Sequence, residues 1–181
     1  MRHDVFITTA NVSALGRAMN VLADMSKGQP GLGVVRGQAG RGKTLAALNW
    51  HAENGGHYLR AWEQETQFQF LRRLCKEIAG LTPSSAYACK TEIVEALDRD
   101  PEAVIIDEAD RLNVRRIEDL RDIHDETGAA IVLVGEEALY PILNSRRRLW
   151  SRVSQDVVFG PVKDEDVLVL ARDAAGLSLT P

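Results

Sequence analysis

The stretch "RGQAGRGKT", residues 36–44, combines glycines with a lysine and a threonine in a spacing suited to binding the phosphates of a nucleotide. It matches the pattern G-x-x-x-x-G-K-[ST] at Gly37, Gly42, Lys43 and Thr44. The glycines allow a tight bend in which successive backbone N–H groups point at phosphate oxygens. We therefore predict nucleotide contacts from the whole loop, that is, from Gly37, Gln38, Ala39, Gly40, Arg41, Gly42, Lys43 and Thr44.

The two residues that close this loop have specific uses in phosphoryl transfer. A helix that begins at Lys43 directs the positive end of its dipole at the bound anion. The Lys43 ammonium can reach the β- and γ-phosphates, and the Thr44 hydroxyl can ligate Mg²⁺. The loop thus predicts a nucleotide accompanied by Mg²⁺.

A second chemical feature is the segment "VIIDEAD", residues 104–110. Its apolar start predicts a buried strand, and Asp107 follows at the carboxyl end, where parallel α/β sheets place their ligands. A carboxylate there can hold the hydration shell of Mg²⁺. Glu108 can orient, or accept a proton from, the water that attacks the γ-phosphate. Together with the glycine loop, this segment predicts a nucleotide-hydrolysing site.

The elements that must position these motifs alternate between strand and helix patterns. Buried strands are predicted in "GLGVVRG", "HYLRAW", "EAVIIDEAD", "AAIVLVGEE" and "SQDVVFGPV". Helices are predicted in "NVSALGRAMNVLADMSKG", "KTLAALNWHAEN", "TQFQFLRRLCKEIAGL", "TEIVEALDRD", "VRRIEDLRDIHDETG", "EALYPILNSRRRLWSRV" and "KDEDVLVLARDAAGL", and a turn-rich loop in "TPSSAYACKT". Short, continuously apolar strands are typical of a parallel sheet covered on both faces, so the predicted fold is α/β with three layers.

The composition is ordinary for a globular protein, with 45% hydrophobic and 27% charged residues among 181. No apolar run approaches the ~20 residues that span a bilayer, and the start has no apolar core of a signal peptide. Cys75 and Cys89 lie outside any metal-ligand spacing and are predicted to be reduced thiols. We expect a cytoplasmic protein with no membrane partner. A net charge of −4 argues against an extended basic coat but allows a local basic patch.

From residue 6 onward, the order of motifs resembles that of the AAA+ ATPases, a class of P-loop NTPases. Within them, "VIIDEADRLNVRRIEDLRDIHDETGAAIVLVGEEALY" and "RRRLWSRV" are similar to the phage Mu transposition protein B family and its transposon relatives. The resemblance implies an ATPase that uses ATP and Mg²⁺ and assembles as a filament or ring on double-stranded DNA. It also implies target-DNA selection, a transposase partner, and a bacterial or phage-encoded protein in a bacterial cytoplasm.

The same resemblance implies roles for individual residues. Asp107 would bind the metal through water, and Glu108 would be the catalytic base. Arg152, in "WSRV", matches the position from which this class often supplies an arginine to the γ-phosphate of a neighbouring subunit, a role that suits the planar guanidinium. The rival candidates are Arg146, Arg147 and Arg148.

Two features depart from the family pattern. The sensor position after "IVLVG" usually carries a small polar residue, whereas this chain has Glu136. An acid that faced the γ-phosphate would repel it, so either Glu136 points elsewhere or hydrolysis is slow. The chain also has only the beginning of a C-terminal helical lid, so we expect a nucleotide-binding domain over residues 1–160 and a truncated or minimal lid over residues 161–181.

For DNA, the expected contacts are Arg115 and Arg116, at the start of the helix after the acidic strand. Arginines near a helix N-terminus oppose the helix dipole, which suggests a use other than helix stability. Their helix also interleaves opposite charges as ordinary surface helices do, so a solvated face is the competing interpretation. Weaker candidates are Lys90, Arg72 and Arg73.

Three other functions remain open at this point. An ATP-gated adaptor or loader with little hydrolysis is favoured by Glu136 and the short lid. A helicase with the acidic motif "DEAD" would need about 350 residues for two motor domains, and no serine-alanine-threonine motif follows. A small-molecule kinase would need a segment that binds the phosphate acceptor, and none is evident.

Overall fold

The computed structural model describes residues 7–23, 31–163 and 166 of the chain, and within them the strands form one parallel sheet. The strands are β1 (Leu32–Arg36), β2 (His57–Arg60), β3 (Val104–Asp107), β4 (Ile131–Gly135) and β5 (Val153–Val158). Their order in the sheet is β2-β3-β4-β1-β5, and every neighbouring pair is parallel. The predicted α/β fold with a parallel sheet is confirmed.

Seven α-helices connect or flank these strands in the described part of the chain, and a short 3-10 helix (Ala109–Arg111) follows β3. The α-helices are α1 (Ala10–Ala23), α2 (Lys43–Asn54), α3 (Gln67–Ala79), α4 (Ala86–Arg99), α5 (Val114–Thr127), α6 (Leu139–Asn144) and α7 (Arg147–Trp150). Side-chain caps fix three of their starts, since Thr66, Ser85 and Asn113 each accept a backbone N–H of the first turn. None of the helices in this part of the chain is long and apolar enough to cross a membrane.

Helices cover both faces of the sheet, which gives the predicted three layers. Along β3, Val104 and Ile106 belong to one core and Ile105 belongs to the other, because successive side chains of a strand point to opposite faces. The larger core packs α3, α4, α5, α6 and α7 against the sheet. The smaller core packs α1 and α2, through residues such as Leu15, Met19 and Ala46.

The register of the strands brings the two chemical motifs to one edge of the sheet. Arg36, the last residue of β1, pairs with Gly135 of β4, and Asp107 of β3 pairs with Arg60 of β2. The connections that leave β1, β3 and β4 therefore all start at the carboxyl edge, where an α/β sheet binds ligands.

Two of the predicted boundaries were wrong. Helix α4 begins at Ala86, inside the segment predicted to be a loop, because the Ser85 hydroxyl caps its first turn. The single helix predicted around Pro141 is split into α6 and α7, because Arg146 has extended backbone dihedrals. The predicted final helix and most of the lid, residues 161–181, lie outside the described residues, so the domain division stays a prediction.

Candidate functional site

The loop between β1 and α2 is bent as a phosphate-binding loop requires. Gly40 and Gly42 have φ of 76° and 84°, a left-handed conformation that favours glycine. A Cβ added at either position would have no heavy atom within 4 Å, so these glycines are needed for their backbone conformation and not for space. The loop leads directly into α2, whose first residue is Lys43.

Lys43 is held at the centre of this loop, with only 9% of the residue exposed. Its ammonium donates hydrogen bonds to the carbonyl oxygens of Gly37 at 2.7 Å and Gln38 at 2.8 Å. Arg41 instead lies at the rim, where it donates a hydrogen bond to the Gln38 side chain at 2.9 Å. Lys43 is therefore the inner cation of the loop, and phosphate oxygens would compete with two loop carbonyls for it.

The acidic strand contacts the loop through Asp107, which is 2% exposed. The Thr44 hydroxyl donates a hydrogen bond to Oδ2 of Asp107 at 3.0 Å, and the Tyr58 hydroxyl donates to the same oxygen at 2.6 Å. The backbone N–H of Glu108 donates to Oδ1 at 2.9 Å. Burial, then the hydrogen bond to Asp107 and the charge of that carboxylate, raise the pKa of Tyr58, so its hydroxyl stays a donor.

Glu108 projects from a left-handed backbone, with φ 54° and ψ 38°, immediately after β3. Two arginines hold its carboxylate: Arg60 Nε lies 3.5 Å from Oε1, and Arg111 forms an ion pair with Oε2. Arg60 Nε is also 3.5 Å from Oδ2 of Asp107. Burial alone lowers the pKa of Arg60, but the nearby acids, with Asp107 foremost, raise it overall.

The third connection at this edge contains Glu136, directly after β4. Its backbone N–H donates to Oδ1 of Asp110 at 2.8 Å, while the residue itself is exposed. A Cβ on Gly135 would come within 2.5 Å of that Asp110 oxygen, so the two segments approach as closely as glycine allows. Asp110 thereby fixes the start of the β4–α6 connection beside the site.

These groups line one cleft of about 450 Å³. Its walls include Lys43, Thr44, Asp107, Glu108 and Glu136. Among the described residues, no three His, Cys, Asp or Glu side chains form a group that could hold a metal alone. A metal at Thr44 and Asp107 would therefore need further oxygens from a phosphate or from water, which is how Mg²⁺ is commonly bound. The donor set fits a nucleotide with Mg²⁺.

Arg152 is far from the cleft of its own chain. It precedes Val153, whose partner in the register is Leu32 at the start of β1, whereas the glycine loop follows the end of β1. Its guanidinium Nε donates to Oδ1 of Asp125 on α5 at 2.7 Å. That hydrogen bond and the charge of Asp125 raise the pKa of Arg152.

The rival arginines differ in what they contact. Arg148 pairs with Glu118 of α5. Arg146 and Arg147 are exposed, and no carboxylate in the described part of the chain pairs with them. All three precede Arg152 by four to six residues. They stay candidates for a role in a neighbouring subunit.

The residues predicted to contact DNA differ in their exposure to solvent. Arg115 is exposed, but Arg116 is only 5% exposed and donates to the carbonyl of Arg111 at 3.0 Å. Its Nε and Nη1 are buried without a partner in the described residues. A buried guanidinium cannot contact a DNA backbone at the surface, so the expectation is kept for Arg115 only. Lys90 is engaged by Asp122 at 2.7 Å.

Sequence reasoning missed four residues of the site: Tyr58, Arg60, Asp110 and Arg111. Tyr58 and Arg60 come from β2, and they reach the acidic strand only because β2 lies beside β3 in the sheet. The available signal was the strand "HYLR", whose polar residues would line the site if that order were assumed. Asp110 is the last residue of the segment "VIIDEAD" and Arg111 follows it, so their closeness to Asp107 in the sequence was the available signal.

A glycine loop with a lysine and threonine, an adjacent acidic strand and the strand order β2-β3-β4-β1-β5 define a nucleotide-binding P-loop protein. The family model described as "AAA domain" matches residues 26–143, and the chain belongs to that family. It is 27% identical over 176 residues to "ATP-dependent target DNA activator B" of Escherichia phage Mu, covering 92% of this chain and 55% of that protein.

Other relatives agree with this assignment. Over 153 residues, the chain is 27% identical to a "Potential ATP-binding protein" of Staphylococcus aureus, covering 67% of this chain and 56% of that protein. Over 76 residues, it is 33% identical to the "Mu-like prophage FluMu DNA transposition protein B" of Haemophilus influenzae, covering 38% of this chain and 26% of that protein. The chain thus spans about half the length of its longest-matching relatives, and the predicted resemblance to the Mu transposition protein B family is confirmed.

Solved structures support the fold independently. Cdc6p from Pyrobaculum aerophilum superposes with a TM-score of 0.67 at 18% identity, over 94% of this chain and 49% of that one. The ORC1 protein of Aeropyrum pernix, solved in complex with DNA, superposes with a TM-score of 0.61 at 22% identity. The match covers 98% of this chain and 52% of that one. At such identities the likeness is one of fold.

Proposed function

We propose that this chain is an ATPase of DNA transposition, which assembles on double-stranded DNA in the presence of ATP, selects the target and activates a transposase. The observation that carries the ATPase part is the contact of Thr44 with Asp107, because it joins the phosphate loop to the acidic strand. The transposition part is supported by similarity along 92% of the chain to a protein described as an ATP-dependent target DNA activator.

The side chains at the cleft suggest a division of labour. Lys43 and the loop N–H groups would bind the β- and γ-phosphates, and Thr44 and Asp107 would hold Mg²⁺. The bound metal would neutralise charge on the phosphates. Glu108 would orient the attacking water, which requires its carboxylate to leave at least one of Arg60 and Arg111.

A role for Arg152 requires a second copy of the chain. Because it precedes β5 at the amino edge of the sheet and the glycine loop follows β1 at the carboxyl edge, it cannot reach the phosphates bound by its own subunit. An arginine supplied between subunits would make hydrolysis depend on assembly. This supports a homo-oligomer, as a ring or a filament.

A steady-state ATPase assay with and without duplex DNA tests this proposal, combined with negative-stain microscopy of the same samples. We expect ATP-dependent rings or filaments on DNA and faster turnover when they form. Monomers in every nucleotide state, together with no DNA-stimulated turnover, would contradict the proposal.

The second candidate function is an ATP-gated adaptor that binds a protein partner and hardly hydrolyses ATP. Two observations favour it: Glu108 is held by two arginines, and the exposed acid Glu136 lies in the cleft wall. The same assay distinguishes the two functions. Tight ATP binding with no turnover at any DNA or protein concentration would favour the adaptor.

A further inference from the structure

A groove of about 580 Å³ lies outside the nucleotide cleft, between the β2–α3 connection and the exposed side of α3. Trp62 is its most prominent side chain and is 57% exposed. Arg72, Arg73 and Lys76 of α3 form the facing wall. An exposed tryptophan beside three cations has no role in the ATP site described above.

Trp62 is held in place by its neighbours. The guanidinium of Arg73 lies 3.6 Å from the centre of the Trp62 ring, a cation–π contact. Arg73 is itself fixed, because its Nη1 donates to both oxygens of the buried Glu65 at 3.0 and 3.1 Å. Its Nη2 donates to the carbonyl of Arg60 at 3.0 Å. The tryptophan is therefore pre-organised, which reduces the entropy lost on binding a partner.

The connection that carries Trp62 is anchored at both ends. The N–H of Ala61 donates to the carbonyl of Asp107 at 2.8 Å. At the other end, Thr66 and Gln69 form a reciprocal capping box at the start of α3. Trp62 lies only two residues after Arg60, whose guanidinium contacts Asp107 and Glu108 in the cleft. The anchored connection therefore links the groove to the ATP site.

The charges of the groove favour an anion. Arg72 and Lys76 are exposed, lie one turn apart on α3, and have no carboxylate within 4.0 Å among the described residues. Like charges at this spacing destabilise a helix, so an anionic partner would relieve their repulsion. Arg73 neutralises Glu65. Among the residues that line the groove, Glu63 is then the remaining acid that would oppose the binding of an anion.

We propose that this groove is a contact surface for duplex DNA, in which Arg72 and Lys76 bind phosphates and Trp62 packs against a sugar of the backbone. Cationic side chains on phosphates supply most of the affinity for duplex DNA that does not depend on base sequence. The inference rests on the proposed function and adds a location for the DNA. It also gives DNA a short route to Glu108, through Arg60.

The test measures DNA affinity of the whole chain with ATP and Mg²⁺, by fluorescence anisotropy over a series of salt concentrations. We expect Arg72→Glu and Lys76→Glu each to weaken DNA binding by about ten-fold or more, and the Arg72→Gln/Lys76→Gln double variant to reduce the salt slope by about two. Trp62→Ala should weaken binding by about five-fold through lost apolar contact, while Trp62→Phe should retain most of the affinity. Arg17→Glu, an equal charge change on the exposed side of α1, should have little effect.

The outcomes distinguish a failure of the groove assignment from a failure of the proposed function. If the unaltered chain binds no DNA in any nucleotide state, the proposed function fails, and the inference with it. If the unaltered chain binds DNA and the groove variants bind equally well, the proposed function stands and the inference is wrong. Groove variants that keep DNA affinity but lose binding of a transposase would assign the groove to a protein partner, which also overturns the inference.

Discussion

The Tyr58 hydroxyl lies 2.6 Å from Oδ2 of Asp107, so a side chain of β2 holds the carboxylate that ends β3. Asp107 also accepts hydrogen bonds from Thr44 and from the N–H of Glu108. Three donors therefore fix the orientation of the buried Asp107 carboxylate, and only Thr44 among them belongs to the glycine loop.

Tyr58→Phe should raise the Mg²⁺ concentration needed for half-maximal ATPase activity several-fold. The variant keeps the ring but removes the donor that orients Asp107, and losing one hydrogen bond to a buried charge costs about 1–3 kcal/mol. The measurement is an Mg²⁺ titration of turnover, accompanied by a thermal melt. Tyr140→Phe is the matched control, since Tyr140 packs with Trp150 and Arg36 away from Asp107. Identical Mg²⁺ curves for Tyr58→Phe and the unaltered chain would contradict this role.

Lys43→Ala should abolish detectable ATP binding, because it removes the inner cation of the phosphate loop. Isothermal titration with ATP and Mg²⁺ measures this directly. Arg41→Ala removes a cation from the rim of the same loop and should reduce affinity far less. If Lys43→Ala bound ATP with unchanged affinity, the cleft would not be the nucleotide site.

Glu108→Gln should still bind ATP but hydrolyse it at least about a hundred-fold more slowly, the usual contribution of a general base. Single-turnover hydrolysis measures the chemical step apart from product release. Glu95→Gln makes the same change on an exposed acid of α4, outside both the cleft and the groove beside Trp62, and serves as the control. Normal turnover by Glu108→Gln would remove this residue as the base.

Arg152→Ala should lower ATPase activity only in the assembled state, because Arg152 lies at the opposite end of the sheet from its own glycine loop. Mixing it with Lys43→Ala protein should restore part of the activity. One subunit then binds ATP and its neighbour supplies the arginine. Arg17→Ala, which removes an exposed charge of α1, is the control for loss of a surface arginine. An equal loss in dilute, unassembled protein would argue against action between subunits.

The free energy of unfolding should fall as the pH rises from about 9 to about 11. Burial, followed by the neighbouring Cys89 thiol, raises the pKa of Cys75 from 9.0 to about 11. The unfolded chain therefore loses this proton first, so alkaline pH favours unfolding and the contribution of Cys75 is complete only below pH 9.

Urea unfolding at a series of pH values measures this dependence. Cys75→Ala should flatten the pH dependence, whatever its effect on absolute stability. The raised pKa of Tyr58 adds a loss of the same sign, which begins near its ordinary value of 10.0. Equal slopes for Cys75→Ala and the unaltered chain would contradict the assignment to Cys75.

Much of this site could be predicted from local sequence. The glycine loop and the "VIIDEAD" strand have patterns dictated by phosphate and metal chemistry, and each strand of the described residues overlaps a segment predicted to be a strand. The contacts of Tyr58 and Arg60 could not be predicted, because they depend on which strand lies beside β3. That order is a property of the whole sheet.

Burial of charged residues was the other source of error. Arg116 was expected to contact DNA because it lies near the start of a helix and opposes the helix dipole. It lies, however, at helical spacing from Leu120 and Ile123, which are in the core. The helical periodicity was the signal that could have found this. The early start of α4 depended on a single cap, Ser85, within a segment whose composition indicated a turn.

The left-handed backbone of Glu108 has a consequence for how this chain evolves. That conformation costs a residue with a side chain on the order of 1 kcal/mol, whereas glycine adopts it freely and asparagine readily. Only the carboxylate keeps glutamate there, so relaxed selection on hydrolysis would let position 108 drift toward glycine or asparagine. Among natural variants of this chain, those two residues would mark lineages that still bind ATP but have become nucleotide-dependent scaffolds.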